Sequence, residues 1–240
     1  MDITKYTKPA RKLLPLRRCG AVIVAAGSAS RMGGIDKVMA ELKGEPMIVH
    51  TVRAFQTCDA ISEIVIVTRG DLILPITQLT NGFDKVTAVV LGGSSRQESV
   101  ANGMNALSDK CKLAAIQDGA RPLVTWQLID RVVRAAHAHN AAIPVIPVKD
   151  TIKVCNSALV VNTPERATLR AVQTPQVFDF DLLRGALKKA AEDGAEVTDD
   201  CSAVERLGMT VKIVDGDERN LKVTTPLDLK LAEMLMEETK

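Results

Sequence analysis

The sequence predicts an α/β protein with a mostly parallel, twisted sheet, helices on both faces and a projecting β-arm. Two observations carry this prediction. Short apolar runs alternate along the chain with longer stretches in which apolar residues recur at helical spacing. The apolar runs are also nearly uninterrupted, which is typical of strands that helices cover on both faces.

Strands are predicted before residue 149 from their apolar, β-branched composition. They are Ala21–Ala26, Ile64–Thr68, Val86–Leu91, Leu113–Gln117 and Ala141–Val148. Helices are expected between them, and the first opens at Pro46. The second begins with a capping box, either Ser94 with Gln97 or Ser95 with Glu98, and the third is capped by Thr125. This strand–helix rhythm implies a parallel sheet.

The C-terminal part of the chain is predicted to hold further helices and two short strands. The helices lie near Leu182–Ala191, near Asp199–Leu207 and from Pro226 onwards. The strands are Val211–Val214 and Asn220–Val223. The last helix has one apolar face, made by Leu227, Leu231, Met234 and Leu235.

The strand–helix rhythm breaks between Lys149 and Pro164. The sequence there is polar and β-branched, with Asn156 and Ser157 at a turn, which predicts a projecting hairpin arm. An arm without a core of its own must pack on another surface, and a partner subunit is the expected one. We therefore expect a homodimer formed through residues 149–164, with residues 19–240 as a single domain.

Composition limits the classes of function. Residues 1–18 hold six Lys or Arg and one Asp, a net charge of +5 that leaves −3 for the rest of a chain whose total is +2. Since like-charge runs are usually solvated, we expect a disordered basic tail. Aromatic residues make up 2% of the chain, which argues against nucleic-acid binding by base stacking. No apolar run approaches the roughly 20 residues that span a bilayer, and the scattered cysteines fit free thiols in the cytoplasm.

The segment AAGSASRMGG at residues 25–34 is the first candidate binding site. Its small residues Ala25, Ala26 and Gly27 let the backbone approach a phosphate, with N–H groups pointing into the concavity. Arg31 and Lys37 add positive charge beside it. The spacing matches neither a dinucleotide-binding motif nor a P-loop. An ordinary strand-to-loop turn with solvent-facing cations is the alternative.

Three further segments supply candidate ligand groups. Gly93 and Ser99 lie where a strand gives way to a helix, a ligand-facing position in α/β sheets. Asp118 ends an apolar strand, where a carboxylate is costly unless solvated or paired, and beside a triphosphate it is placed to bind Mg²⁺. Lys222 faces away from its apolar neighbours and could reach a transferring phosphate. The alternatives are helix capping by serines, an Asp118–Arg121 pair and a surface lysine.

A last set of candidates lies in and after the predicted arm. Thr151, Lys153 and Arg166 are suited to bind a second anionic substrate. Because the arm is expected to pack on a partner subunit, some of these residues would serve the neighbour's site. Exposed arm charges without a ligand are the alternative.

Seven motifs occur in a fixed order along the chain: AAGSASRMG with Lys37, GGSSRQESV, DGARP, VKDTIK, TPQVF, VTDDCSAVE and NLKVTTPLDL. Taken together and in this order, they resemble the 2-C-methyl-D-erythritol 4-phosphate cytidylyltransferase family of the non-mevalonate isoprenoid pathway. The resemblance covers nearly the whole chain after the basic tail. It implies a Rossmann-like fold, a homodimer with interlocking arms, CTP as a substrate and Mg²⁺ as a cofactor. The implied reaction transfers CMP from CTP to 2-C-methyl-D-erythritol 4-phosphate, giving 4-diphosphocytidyl-2-C-methyl-D-erythritol and pyrophosphate.

The resemblance also implies roles for individual residues. Arg31 and Lys37 would grip the triphosphate, Asp118 would face the metal, and Lys222 would lie beside the α-phosphate. CTP would be held as well by Ala25, Ala26, Gly27, Gly93 and Ser99. Methylerythritol phosphate would be bound across the dimer interface by Thr151 and Arg166, with Thr198 nearby.

The chain departs from the family pattern at several positions. Ala29 stands where many members have glycine, Gly119 where many have alanine, Ser94 in place of a common acidic residue, and the run DKV at residues 36–38 where many have PKQ. Two other functions are alternatives. One is a cytidylyltransferase for another polyol phosphate such as ribitol 5-phosphate. The other is a non-catalytic nucleotide-sensing domain, against which the retained lysine and aspartate candidates speak.

Overall fold

The computed structural model describes residues 15–27 and 36–237 of the chain. The strands of this part are β1 (Cys19–Val24), β2 (Glu41–Leu42), β3 (Glu45–Pro46), β4 (Ile61–Thr68), β5 (Val86–Leu91), β6 (Leu113–Asp118), β7 (Ala141–Pro147), β8 (Val154–Asn156), β9 (Leu159–Asn162), β10 (Arg170–Val172), β11 (Gln176–Asp179) and β12 (Lys212–Asp215). Its α-helices are α1 (Met47–Gln56), α2 (Ile73–Thr80), α3 (Arg96–Ala106), α4 (Trp126–His139), α5 (Phe180–Glu192), α6 (Asp200–Glu205) and α7 (Pro226–Glu237). The strands predicted before residue 149 are all present.

The central sheet has the strand order β10-β7-β11-β6-β1-β4-β5, and β12 also pairs with β7. β1 runs parallel to β4 and β6, β4 to β5, and β7 to β12. β10 and β11 run antiparallel to their neighbours. The predicted mostly parallel sheet is thus confirmed. The chain passes from β1 to β4 on one side and later to β6 on the other, so a topological switch point lies between β1 and β6.

Helices cover the sheet on both faces, as predicted. Because side chains alternate along a strand, Ala21 and Ile23 of β1 pack with residues of α1 and α4, whereas Val22 packs with residues of α3 and α5. A smaller third cluster holds α7 through Ala232 against Leu42 of β2. The two large clusters fix the sheet between the helices and leave the carboxyl ends of its strands to the loops.

The helix starts follow the predicted capping residues. Thr125 Oγ1 accepts a hydrogen bond from the Leu128 N–H at 3.3 Å, and Ser95 Oγ accepts one from the Glu98 N–H at 3.0 Å. The Glu98 carboxylate, however, accepts from the N–H and hydroxyl of Ser94, both at 2.7 Å. Of the predicted capping box, the hydrogen bond from the Glu98 N–H to the Ser95 side chain is therefore present. The Glu98 side chain binds Ser94 in the preceding loop instead of the Ser95 N–H.

The predicted strand Asn220–Val223 is wrong. The segment is an irregular loop whose backbone bonds to another loop: the Val223 N–H donates to the Ala120 carbonyl at 2.8 Å, and Arg121 Nη1 donates to the Asn220 carbonyl at 2.7 Å. Elements that the sequence does not predict are α2, β2, β3, β10 and β11. The four strands have two to four residues each, too few to show a period.

The apolar pattern of α7 does not mark its buried face. Leu227, Leu231 and Met234 are 73%, 45% and 62% exposed, and the buried residue is Ala232. The small side chain of Ala232 allows α7 to lie close to the loops that precede it. The face predicted from the sequence is therefore turned outwards in the single chain.

The segment predicted as an arm is a hairpin that stands apart from the central sheet. Among the described strands, β8 pairs with β9 alone, antiparallel, and Ser157 has a φ of 51° in the connecting turn. Leu159, Val160 and Val161 of β9 are 74%, 61% and 64% exposed although they are apolar. The projecting β-arm is thus present at the predicted place.

The predicted basic tail is described in part. Residues 1–14 lie outside the described residues, whereas Arg17 contacts the body of the protein. Its Nη1 pairs with Asp179 at 3.0 Å, and its Nη2 donates to the Ala136 carbonyl at 2.7 Å. Among the described residues, no helix combines the length and apolar character needed to cross a membrane.

Candidate active site

A cavity of about 350 Å³ opens at the carboxyl ends of β1 and β6, beside the topological switch point. Four parts of the chain build its wall: the loop after β1, the turn before α3, the loop after β6 and the loop before α7. The lining residues are Val24, Ala25, Ala26, Gly27, Lys37, Val38, Gly93, Ser94, Ser95, Arg96, Ser99, Asp118, Gly119, Ala120 and Lys222. Eight of the predicted site residues are among them.

The loop after β1 forms the floor of the cavity with small residues. The Ala25 N–H donates to the Val67 carbonyl at 2.7 Å, which continues the pairing of β1 with β4 past the end of the strand. Ala26 and Gly27 then follow with little side-chain bulk, so a ligand can approach the backbone. Arg31, the predicted triphosphate ligand, lies outside the described residues.

The turn before α3 is closed by side chains of its own helix. The Gly93 N–H donates to Ser99 Oγ at 3.0 Å, and Ser99 Oγ donates to the Ser95 carbonyl at 2.8 Å. A Cβ on Gly93 would overlap the side chain of Glu98, which lies against it. The turn therefore requires glycine at this position, and Glu98, which the sequence predicts only as a partner in helix capping, is a structural residue of the site.

Asp118 is the carboxylate at the centre of the cavity. Lys222 Nζ is 2.9 Å from its Oδ2, Arg121 Nε is 3.5 Å from the same oxygen, and Arg96 Nη2 is 3.9 Å from Oδ1. Burial alone would raise the pKa of Asp118, but the charges of Lys222, Arg121 and Arg96 bring it below its ordinary value. Asp118 is therefore ionised, and the predicted candidates Asp118 and Lys222 are in contact. The alternative Asp118–Arg121 pair is also present, so the two interpretations do not exclude each other.

A second carboxylate, Asp200, holds Arg96 at the cavity. Arg96 Nη2 pairs with Asp200 Oδ2 at 2.7 Å, and the side chain of Asp200 is 1% exposed. Burial raises the pKa of Asp200, although Arg96 acts in the opposite direction. Sequence reasoning missed both residues. Their signal was present, since Arg96 lies inside GGSSRQESV and Asp200 inside VTDDCSAVE.

Arg121 links the two loops that carry Asp118 and Lys222. It is 8% exposed, and its Nη1 donates to the Asn220 carbonyl two residues before Lys222. Burial lowers the pKa of Arg121. The residue thus fixes the distance between the strand-end carboxylate and the loop lysine.

The candidates for the second substrate do not line the cavity. Arg166 Nη1 donates to the Lys149 carbonyl at 2.9 Å, and Lys153 Nζ donates to Thr163 Oγ1 at 2.8 Å, both within the arm region. Thr151 is exposed, and Thr198 is exposed ahead of α6. A single chain therefore brings together the predicted nucleotide residues and leaves these four outside.

A larger cleft of about 540 Å³ lies between α3 and α5. Its floor is apolar, with Ala101, Met104 and Leu187, and the guanidinium of Arg184 at its rim is paired with Asp181 at 2.6 Å. The smaller cavity instead gathers charged groups from separate loops around a backbone that a ligand can approach. Convergent polar groups mark a binding site better than size does, so the smaller cavity is the candidate site.

The fold and the cavity together define a nucleotide-binding α/β protein of the nucleotidyltransferase class. The site suits a triphosphate. It combines small residues after β1, lysines beside them and a carboxylate at the end of the neighbouring strand β6. The chain belongs to the 2-C-methyl-D-erythritol 4-phosphate cytidylyltransferase family, whose family model matches residues 19–238.

Individual relatives agree with this assignment. The chain is 46% identical over 219 residues to the 2-C-methyl-D-erythritol 4-phosphate cytidylyltransferase of Symbiobacterium thermophilum, covering 90% of this chain and 92% of the relative. Among solved structures, the 4-diphosphocytidyl-2C-methyl-D-erythritol synthase of Anaerococcus prevotii superposes with a TM-score of 0.83 at 30% identity, covering 92% and 96% of the two chains. The cytidylyltransferase of Thermus thermophilus superposes with a TM-score of 0.75 at 33% identity, covering 90% and 98%. The Rossmann-like fold expected from the sequence is confirmed.

Proposed function

We propose that this enzyme transfers CMP from CTP to 2-C-methyl-D-erythritol 4-phosphate, releasing 4-diphosphocytidyl-2-C-methyl-D-erythritol and pyrophosphate. The observation that carries the proposal is the meeting of Lys37, Asp118 and Lys222 around one cavity floored by Ala25–Gly27. These residues come from segments far apart in the sequence. Family membership supplies the identity of the nucleotide and the acceptor.

The chemistry needs little beyond binding and charge. A phosphate oxygen of the acceptor attacks the α-phosphorus of CTP in line, the bond from that phosphorus to the bridging oxygen breaks, and pyrophosphate leaves. The acceptor phosphate is already a nucleophile, so no general base is required. Lys37, Arg31 and Lys222 bind the triphosphate and stabilise the charge that grows on its oxygens. Ala25, Ala26, Gly27, Gly93 and Ser99 hold the nucleotide.

Asp118 is the residue proposed to hold Mg²⁺. Among the described residues, no group of three or more His, Cys, Asp or Glu side chains could hold a metal by itself. Mg²⁺ fits nevertheless, because it usually binds one or two carboxylates together with substrate phosphates and water. Asp118 Oδ1 is 3.9 Å from Arg96, so it can bind a metal without breaking a short hydrogen bond. When bound, Mg²⁺ would neutralise charge on the phosphate oxygens.

The acceptor half of the site is proposed to form in a homodimer. The exposed apolar residues of the arm, Leu159, Val160 and Val161, favour pairing with a second chain. That pairing would bring Thr151, Lys153 and Arg166 of one subunit towards the cavity of the other, near Thr198. We further propose that residues 19–240 act as one domain, and that the enzyme works in the cytoplasm, where its five free thiols would stay reduced.

An acceptor panel tests the proposal. The protein is incubated with CTP, Mg²⁺ and either 2-C-methyl-D-erythritol 4-phosphate or ribitol 5-phosphate, and pyrophosphate release is followed. We expect release with the first acceptor and a product mass equal to that of 4-diphosphocytidyl-2-C-methyl-D-erythritol. Faster release with ribitol 5-phosphate would assign another polyol phosphate. CTP binding without release for any acceptor would indicate a nucleotide-sensing domain.

A further inference from the structure

Lys37 lies between two anchors. On its C-terminal side, Val38 is 2% exposed, and its carbonyl oxygen accepts a hydrogen bond from the Ile48 N–H at 2.9 Å, which ties the chain to α1. On its N-terminal side stands Asp36, whose carboxylate pairs with Arg69 at the end of β4. Asp36 is the first described residue after the gap at residues 28–35, so its ion pair is the nearest described anchor on that side.

Arg69 is itself held firmly. It follows Thr68, the buried last residue of β4, whose carbonyl oxygen accepts from the Gly92 N–H at 2.8 Å. Its guanidinium donates from Nε and Nη2 to the two carboxylate oxygens of Asp71, at 3.1 and 2.9 Å. This bidentate pair fixes the plane of the guanidinium and directs Nη1 to Asp36.

The Asp36 carboxylate connects Arg69 to both sides of Lys37. Its Oδ2 accepts from Arg69, and its Oδ1 accepts from the Val38 N–H at 3.0 Å. The side chain of Asp36 is 13% exposed and that of Arg69 is 32% exposed, so solvent screens the pair less than it screens a surface pair.

We propose that Arg69 is a positioning residue that acts through Asp36 on Lys37, and this inference rests on the proposed role of Lys37 in CMP transfer. The pair joins the backbone beside Lys37 to the rigid end of β4. Small displacements of a group that stabilises a transition state lower the rate strongly. Arg69 also neutralises Asp36, whose charge would otherwise oppose a triphosphate held by the neighbouring lysine.

A double-mutant cycle tests the proposal. The variants are Arg69→Gln, Lys37→Ala and the two combined, with Asp36→Asn as a second way to break the pair while an oxygen is kept for the Val38 N–H. Arg134→Gln is the matched control, because Arg134 makes a comparable 2.6 Å pair with Asp130 on the exposed side of α4. The rate of CMP transfer is measured as the rate of pyrophosphate release, with CTP varied up to saturation.

We expect Arg69→Gln and Asp36→Asn each to lower kcat about tenfold, equal to about 1.4 kcal/mol of barrier, with Arg134→Gln unchanged. In the Lys37→Ala background, Arg69→Gln should have no further effect. A full additional loss in that background would overturn the proposal, since Arg69 would then act independently of Lys37. A wild-type kcat in Arg69→Gln would also overturn it, even if the KM for CTP rises, since charge neutralisation would then be the only role of Arg69.

Hydrogen exchange separates this inference from the proposed function. In the protein without substrates, Arg69→Gln should speed exchange of the Val38 and Met39 amides relative to Arg134→Gln. Unchanged exchange would contradict the anchoring of Lys37 by Arg69 and Asp36, even if the enzyme is fully active. If the wild type transfers no CMP but Arg69→Gln still speeds exchange, the proposed function is rejected and the anchoring of the backbone beside Lys37 by Arg69 and Asp36 stands.

Discussion

The nucleotide cavity and the arm are built in opposite ways. The cavity gathers residues from distant segments, such as Ala25, Gly93, Asp118 and Lys222, because their segments meet at the carboxyl edge of one sheet. The arm candidates Thr151, Lys153 and Arg166 lie close together in sequence instead, on either side of a hairpin whose apolar residues are exposed. We therefore propose that one chain holds the nucleotide half of the site and that a second chain completes the acceptor half.

The largest effect should come from the centre of the cavity. Lys222→Ala removes the cation 2.9 Å from Asp118 and proposed to lie beside the α-phosphate, so kcat should fall roughly 100-fold or more. The thermal midpoint should change little, because the side chain of Lys222 is 41% exposed. Lys189→Ala is the control, since Lys189 makes a 2.7 Å pair with Asp193 and neither residue lines the cavity. A Lys222→Ala enzyme with wild-type kcat would remove this lysine from the mechanism.

Asp118→Asn should rank next. The amide keeps the shape of the carboxylate but loses the charge proposed to bind Mg²⁺, so the Mg²⁺ concentration needed for half-maximal rate should rise about tenfold or more. The titration is made at fixed CTP, with Lys222→Ala measured in parallel. If the Mg²⁺ requirement of Asp118→Asn equals that of the wild type, Asp118 does not hold the metal.

Charges on the arm should separate the subunits. In the double variant Leu159→Asp, Val161→Asp, two exposed apolar side chains become carboxylates, which would have to be desolvated on pairing. We expect a monomer by sedimentation, with CTP binding kept and acceptor binding weakened. Leu74→Asp is the control, because Leu74 is 66% exposed on α2, and this variant should sediment with the same assembly mass as the wild type. A double variant with the same mass as the wild type would show that the arm is not the interface.

The smallest effect is expected at Arg166. Loss of one hydrogen bond to a charged phosphate is worth about 1.5–3 kcal/mol, so Arg166→Ala should raise KM for the acceptor about tenfold or more. KM for CTP should not change. Arg170→Ala is the control, because Arg170 is an exposed arginine nearby that bonds to backbone carbonyls. Equal KM values for the acceptor in the two variants would exclude the substrate role of Arg166.

Much of the cavity could be predicted from local patterns. A carboxylate at the end of an apolar strand and small residues after the first strand are visible in the sequence, and the structure places Asp118 and Ala25–Gly27 in one cavity. The pair between Arg96 and Asp200 could not be predicted, because the two residues are 104 positions apart and meet only in the folded chain, where the N-terminal residues of α3 and α6 come together. Periodicity alone could not give the buried face of α7 either, since Ala232 packs inwards while larger residues face out.

The segment around Lys222 shows the same limit. Its apolar neighbours suggested a strand, but the backbone there bonds to Ala120 and to the side chain of Arg121. The alternation of apolar and polar residues correctly predicts that Lys222 faces away from its apolar neighbours, and Lys222 lines the cavity. The alternation does not predict whether the backbone of the segment bonds to a strand or to a loop.

Complementation between two impaired variants tests most directly whether each active site is shared between two subunits. Lys222→Ala and Arg166→Ala chains are produced together with different tags, and the mixed dimer is purified through both tags. Each mixed dimer would contain one site with both residues intact, so its rate at a subsaturating acceptor concentration should recover to about half that of the wild type. A mixed dimer no more active than its parents would contradict the claim that Arg166 serves the neighbouring cavity.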